Sequence, residues 1–253
     1  MNGGYMRNPI GAPRAATRSG SLRPAEKLRA AHEKPTANTE LARLLEHPAI
    51  WRGRSAARRE ALPTGFGAFD ECLPGRGWPR TGLVEILVSR FGIGELYLLL
   101  PALAALTSRP ASRWCMWVTP PLDPFPPALE AHGIALDRLL VVRAPEAMWA
   151  FEQSLRSGAC DAVLAWSGGS VSSRRSAKSG DSEVRELRRL QLAAERGRTL
   201  GVLFRPRRAA QESSPAVLRV VLEPSPKGVS VTLLKSRGGA RGSIELALHA
   251  TGS

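Results

Sequence analysis

The residues best placed to do chemistry lie in one stretch, VEILVSRFGIGELYLLLPALAAL, residues 84–106. The apolar, β-branched run at 84–88 has the length of a buried strand. Gly92 and Gly94 follow, and then a long apolar run that reads as a buried helix. Strand, glycine loop and helix make the usual cradle for a phosphate, because glycines let the backbone approach and a helix N-terminus presents free N–H groups. The residues that would handle the phosphate are absent. A working loop reads G-x-x-x-x-G-K-[ST], whereas Gly94 is followed here by Glu95 and Leu96. A unit charge contributes roughly 4 kcal/mol at about 4 Å and an effective dielectric of about 20. A carboxylate in the place of the lysine therefore reverses a term of that order. The other reading of Glu95 is an acidic residue in the first turn of a helix, favourable to the helix dipole. The stretch predicts a nucleotide-binding scaffold with a degenerate phosphate loop (Gly92, Gly94, Glu95, Leu96), no cofactor and no catalysis. An ATPase working through an atypical cation, with Arg90 the nearest, is the enzymatic alternative.

Other chemistry has little support. His32, His47, His132 and His249 have no metal-ligand spacing. Cys72, Cys115 and Cys160 are far apart and odd in number, which argues against a zinc site or a disulfide framework and for small buried thiols in a reducing cytoplasm. Ser167 and Ser170 flank a glycine pair in a loop rather than a nucleophile elbow. Asp70 and Glu71 sit before a turn at Pro74 and read as caps. Glu85 leads the strand with no role assignable from sequence.

The elements that would position the loop can be read in order. Residues 1–37 are polar, basic and broken by Pro and Gly, and read as disordered. Residues 38–61 hold a short helix at 39–47, capped by Thr39 and ended by Pro48, and a linker carrying Trp51 among arginines. The globular domain spans 62–253. It opens with turns around Gly65 and Gly75, and between them Phe66, Phe69 and Leu73 fit one side of a short helix. Strands are expected at 113–119, 139–142, 161–166 and 200–204. Helices are expected up to Gly133, at 145–157 with Gly158 as C-cap, and at 181–196 with Val184, Leu187 and Leu190 inward and Gly197 closing it. Alternating strands and helices imply βαβ units, hence an α/β fold with a mostly parallel sheet flanked by helices. Three further strands, 216–222, 228–235 and 243–248, should extend that sheet as antiparallel strands.

Composition sets outer bounds. The chain has 253 residues, 43% of them hydrophobic, which is enough for one large domain or two small ones. A formal charge of +14 favours a polyanionic partner. Half of that excess lies in residues 1–60, where 12 Lys/Arg stand against 5 Asp/Glu. There is no secretory h-region, and the longest apolar run is interrupted by Pro101 and is too short to span a bilayer, so the expected location is the cytoplasm, with no membrane contact.

Three phrases carry a family resemblance: LPTGFGAFDECLPGRGWP, GIGELYLLLPALAAL and LRRLQLAAERGRTLGVLFRP. From about Leu41 onward the chain resembles the translesion DNA synthesis-associated ImuA family, whose members are RecA/SulA-like. The resemblance implies a RecA-like core in which the motif's Lys and Thr fall on Glu95 and Leu96. The acidic residue ending the second nucleotide-site strand falls on Trp166; Asp161 lies at the wrong end of that strand to replace it. It also implies a non-catalytic accessory role in SOS-induced error-prone DNA synthesis, scaffolding an ImuB-like Y-family polymerase homologue and an error-prone C-family DNA polymerase, with RecA and DNA as further candidate partners. The alternative it leaves open is a SulA-type cell-division inhibitor.

In RecA-like proteins two loops hold DNA. The matching segments here are residues 167–182, with Arg174, Arg175 and Lys178, and residues 205–215, with Arg205, Arg207 and Arg208. Arginine suits phosphate through charge and its two-pronged geometry. Neither segment holds an aromatic residue, so base stacking is not expected. The two readings are weak, sequence-independent DNA contact and simple solvated loops.

Overall fold

A computed structural model of the chain describes residues 60–167, 180–226, 228–236 and 242–247. The tail and helix expected before residue 60, Trp51, and Arg174, Arg175 and Lys178 lie outside the described residues. In chain order the elements are β1 (Ala61–Leu62), α1 (Gly67–Cys72), β2 (Trp78–Pro79), β3 (Gly82–Val88), α2 (Leu100–Thr107), β4 (Trp114–Val118), α3 (Pro126–Ala131), β5 (Leu139–Val142), α4 (Ala147–Arg156), β6 (Cys160–Trp166), α5 (Gly180–Gly197), β7 (Leu200–Pro206), β8 (Leu218–Ser225), β9 (Gly228–Ser236) and β10 (Gly242–Ala247). Short 3₁₀ turns at Leu136–Arg138 and Arg207–Gln211 lead into β5 and follow β7.

One eight-stranded sheet runs in the order β10-β9-β8-β3-β7-β6-β4-β5. The six strands from β8 to β5 are mutually parallel, and β9 and β10 are antiparallel additions at the other edge. The expectation of three antiparallel C-terminal strands is therefore corrected at the first: β8 pairs in parallel with β3, Val84 facing Leu218. Its long connection from β7, which includes the 3₁₀ turn, is what a parallel crossover needs.

Alternation along the strands assigns two faces. Val84, Ile86 and Val88 of β3, Val202 and Phe204 of β7, and Val220 and Leu222 of β8 pack with Leu99, Leu103 and Leu106 around α2. Leu83 of β3, Val163 of β6 and Leu203 of β7 face the opposite way, against Phe151 and Leu155 of α4 and Leu187 and Leu190 of α5. The result is three layers, with the central strands buried on both sides, as parallel sheets require. Val184, expected to point inward, is half-buried.

Two helix ends differ from the sequence expectation. The chain leaves α5 with the positive φ on Arg198 (50°), not on Gly197. Gly197 is a glycine because of space: a Cβ there would stand 1.9 Å from the Leu155 carbonyl oxygen of α4. The second difference concerns α2, which starts at Leu100 rather than directly after the glycine loop. Pro101 occupies its first turn, where the missing N–H and fixed φ cost nothing.

Candidate functional site

The glycine loop leaves the C-terminal end of β3, an interior strand of the parallel set, where the chain crosses over β7 and β6 to reach β4. Open α/β sheets bind ligands at such a switch point. Gly92 and Gly94 carry φ of 85° and 102°, and nothing lies within 4 Å of a Cβ built on Gly92. Gly92 is therefore there for its backbone conformation.

Two of the loop's amides are already satisfied from within. Gly92 N donates to both carboxylate oxygens of Glu95, at 2.9 and 3.0 Å, and Ile93 N donates to Oε2 at 3.0 Å. Glu95 is only 4% exposed. The expectation that Glu95 sits in the first turn of the following helix is thus replaced by a more specific one. It precedes α2, in a turn closed by Tyr97 N to Gly94 O and Leu99 N to Leu96 O, and its side chain folds back into the loop. Leu96 packs against the core on the α2 side. Arg90 is exposed.

Across the same end of the sheet, Trp166 closes β6. Its ring stacks on Phe204 of β7, with centroids 4.9 Å apart and an interplanar angle of 16°, and meets Trp117 of β4 edge-on at 6.1 Å. An aromatic row stands where the family resemblance implies a metal-binding carboxylate. Asp161, at the other end of β6, has a structural task. It accepts from Arg113 N (2.8 Å) and Nε (3.1 Å). The same guanidinium donates to Gly158 O, Gly197 O and Arg198 O. One arginine thus gathers carbonyls from the C-terminal ends of α4 and α5, where a cation is favoured.

Of the residues expected to meet DNA, Arg205, Arg207 and Arg208 are described. Arg205 is 4% exposed. Its Nη1 lies 2.6 Å from Glu85 Oε1, and its Nη2 bonds Glu212 Oε2 at 2.6 Å and Glu183. Arg219 joins the group through Nε, 2.7 Å from Glu85 Oε2, and donates to Ala209 O and Glu212 O. Burial works against the Arg205 charge, but Glu85, Glu212 and Glu183 outweigh it and raise the guanidinium's pKa above its ordinary value. With its donors taken up in this way, Arg205 has no face open to a phosphate; the expectation of DNA contact is corrected for this residue. Arg207 is exposed and paired with Glu223 at 2.7 Å, and Arg208 is exposed.

The role of Glu85, unassigned from sequence, follows from this cluster. It is fully buried on the α5 face of β3 and balances two buried arginines from its neighbouring strands. The signal in the sequence was a charged residue inside each of three apolar strands; the strand order that brings them together is not written locally.

Cys115 and Cys160 lie buried on neighbouring strands, and burial pushes their pKa values up to about 12 and about 11. Among the described residues, no group of three or more His, Cys, Asp or Glu is placed to hold a metal ion, and no helix is long and apolar enough to cross a membrane. A cleft of about 280 Å³, lined by Glu60, Arg80, Thr81, Leu218 and Ser236 among others, opens at the N-terminal end of β3 and β8, away from the glycine loop. Large apolar side chains stand exposed in two places: Leu122 and Phe125 between β4 and α3, with Val141 on the edge strand β5, and Trp149 and Leu192 on α4 and α5.

Comparison with known proteins returns no matching family model. The cell division inhibitor SulA of Edwardsiella piscicida is 33% identical over 135 residues, a match covering 51% of this chain and 70% of that protein. The crystal structure of SulA from Pseudomonas aeruginosa matches at 23% identity with a TM-score of 0.35, covering 49% of this chain and 97% of that one. The curated relative is an inhibitor of cell division, which overturns the expectation of a translesion-synthesis scaffold. The relative supports the SulA side of the sequence resemblance.

Proposed function

The chain belongs to the family of the cell division inhibitor SulA, and we propose that it is itself a non-catalytic inhibitor of bacterial cell division, working by binding a division protein. The observation that carries this reading is 33% identity extending over 70% of the inhibitor's length. SOS induction, implied by the resemblance in sequence, is consistent with it, because a cell with damaged DNA gains from delaying division.

The reading includes a RecA-like core that has lost its nucleotide. Two features support the loss. The Glu95 carboxylate occupies two of the loop amides that would face an anion, and the row Trp117, Trp166 and Phe204 fills the neighbouring strand ends. Saturable ATP binding abolished by Arg90→Ala would contradict this part.

The test of the main reading is an affinity pull-down with the full chain from DNA-damaged bacterial cells, repeated after nuclease treatment. Recovery of a division protein that survives nuclease is the expected result. Recovery of polymerase components without any division protein would overturn it.

A further inference from the structure

Helices α4 and α5 lie side by side on one face of the sheet, joined across their outer surface by Arg189 and Glu152 at 3.3 Å. Their inner faces are buried through Phe151, Leu155, Leu187 and Leu190. The outer surface is unusual in two respects. Trp149 is 61% exposed and Leu192 is 46% exposed. Around Leu192 runs a stripe of exposed arginines, Arg185, Arg188, Arg189 and Arg196, at the three- and four-residue spacing of one helix face. Of these only Arg189 has an ion pair among the described residues. Like charges at that spacing repel and weaken the helix that carries them. Among the described residues no ion pair engages Arg185, Arg188 or Arg196, although Asp181 and Glu195 of the same helix carry the opposite charge.

We propose that this outer face of α4 and α5 is a docking surface for an acidic protein segment that carries an apolar side chain between its carboxylates. The charge of the stripe selects the sign of the partner. Every cation in the stripe is arginine, whose planar fork matches a carboxylate in two-point contact. Tryptophan and arginine are the residue types that dominate protein–protein hot spots. Trp149 and the arginines would suit a base and a phosphate as well as a protein, and it is exposed aliphatic Leu192, central in the stripe, that favours protein: an apolar side chain covers it, whereas a charged backbone does not. A second copy of the chain is disfavoured, since it would bring the same positive stripe. The proposal goes beyond the division reading and does not depend on it: a division protein or another acidic protein would satisfy it equally.

The test uses the full chain and a fluorescently labelled synthetic peptide in which Asp and Glu flank Leu and Trp. Controls are a polyglutamate of equal charge and a single-stranded oligonucleotide of equal charge. The expected result is saturable binding of the Leu/Trp peptide, weakened roughly tenfold or more by Trp149→Ala and by the Arg185→Glu/Arg188→Glu double variant. Phe125→Ser, at the other exposed patch, should leave it unchanged. All four positions are exposed, and thermal melting verifies that the variants fold. Four results would overturn the proposal: no saturable binding; binding indifferent to Trp149→Ala; tighter binding of the oligonucleotide through the same arginines; or a concentration-dependent dimer abolished by the double variant.

Discussion

Glu95 accepts three hydrogen bonds from two loop amides within a loop whose shape would otherwise suit an anion. Removing the carboxylate takes away three part-buried hydrogen bonds to a charged acceptor, so Glu95→Ala should cost about 1–3 kcal/mol in chemical denaturation. Loss of less than a few tenths would mean that the amides find water and that the contact is incidental. The missing lysine and hydroxyl were legible from the motif alone. What the side chain does instead was not, because the fold-back depends on the φ values of Gly92 and Gly94 and on Pro101 deferring the helix. The cysteines give a second prediction at this scale. The fold favours the protonated thiols of Cys115 and Cys160, whose pKa values lie above the ordinary 9.0. Their contribution is fully present below pH about 9 and lost as pH rises through about 11 and about 12. Denaturant midpoints should therefore fall on that alkaline limb, and Cys115→Ala/Cys160→Ala should flatten it. A fall of equal size in the double variant would contradict the assignment.

At the scale of elements, the strands and helices were legible in position because burial on both faces makes each parallel strand a short apolar run, and the helices carry their own periodicity. Pairing was not. The parallel alignment of β8 with β3 depends on the connection from β7 passing over β3, and no local pattern encodes that. The same gap hid the cluster of Glu85, Arg205 and Arg219, three charges that meet only when β3, β7 and β8 are neighbours. Arg205 consequently read as a DNA contact when it is an interior cation. Glu85→Ala would leave buried Arg219 without a carboxylate and take one of three from buried Arg205, and should destabilise the protein by about 3–5 kcal/mol. Breaking the exposed Arg207–Glu223 pair with Arg207→Ala should cost no more than about 1 kcal/mol. Equal losses for the two variants in urea melts would refute this ranking.

For the whole molecule, the sequence carried the α/β class and the SulA side of its kinship, yet the motifs drew the functional reading toward lesion bypass. Those motifs describe a core shared by proteins with different tasks, and a shared core does not determine a partner. The decisive difference lies in surfaces, and exposed side chains such as Trp149 and Leu192 cannot be told from core residues by hydrophobicity alone. The strong positive charge favours a polyanion, and an acidic protein meets that as well as nucleic acid does. The most direct measurement is cell length and septum count by microscopy in a bacterial host expressing the full chain from an inducible promoter, without DNA damage. Long, growing cells with regularly spaced chromosomes and no septa are the predicted result. Cells of normal length and septation at full expression of the folded protein would contradict it.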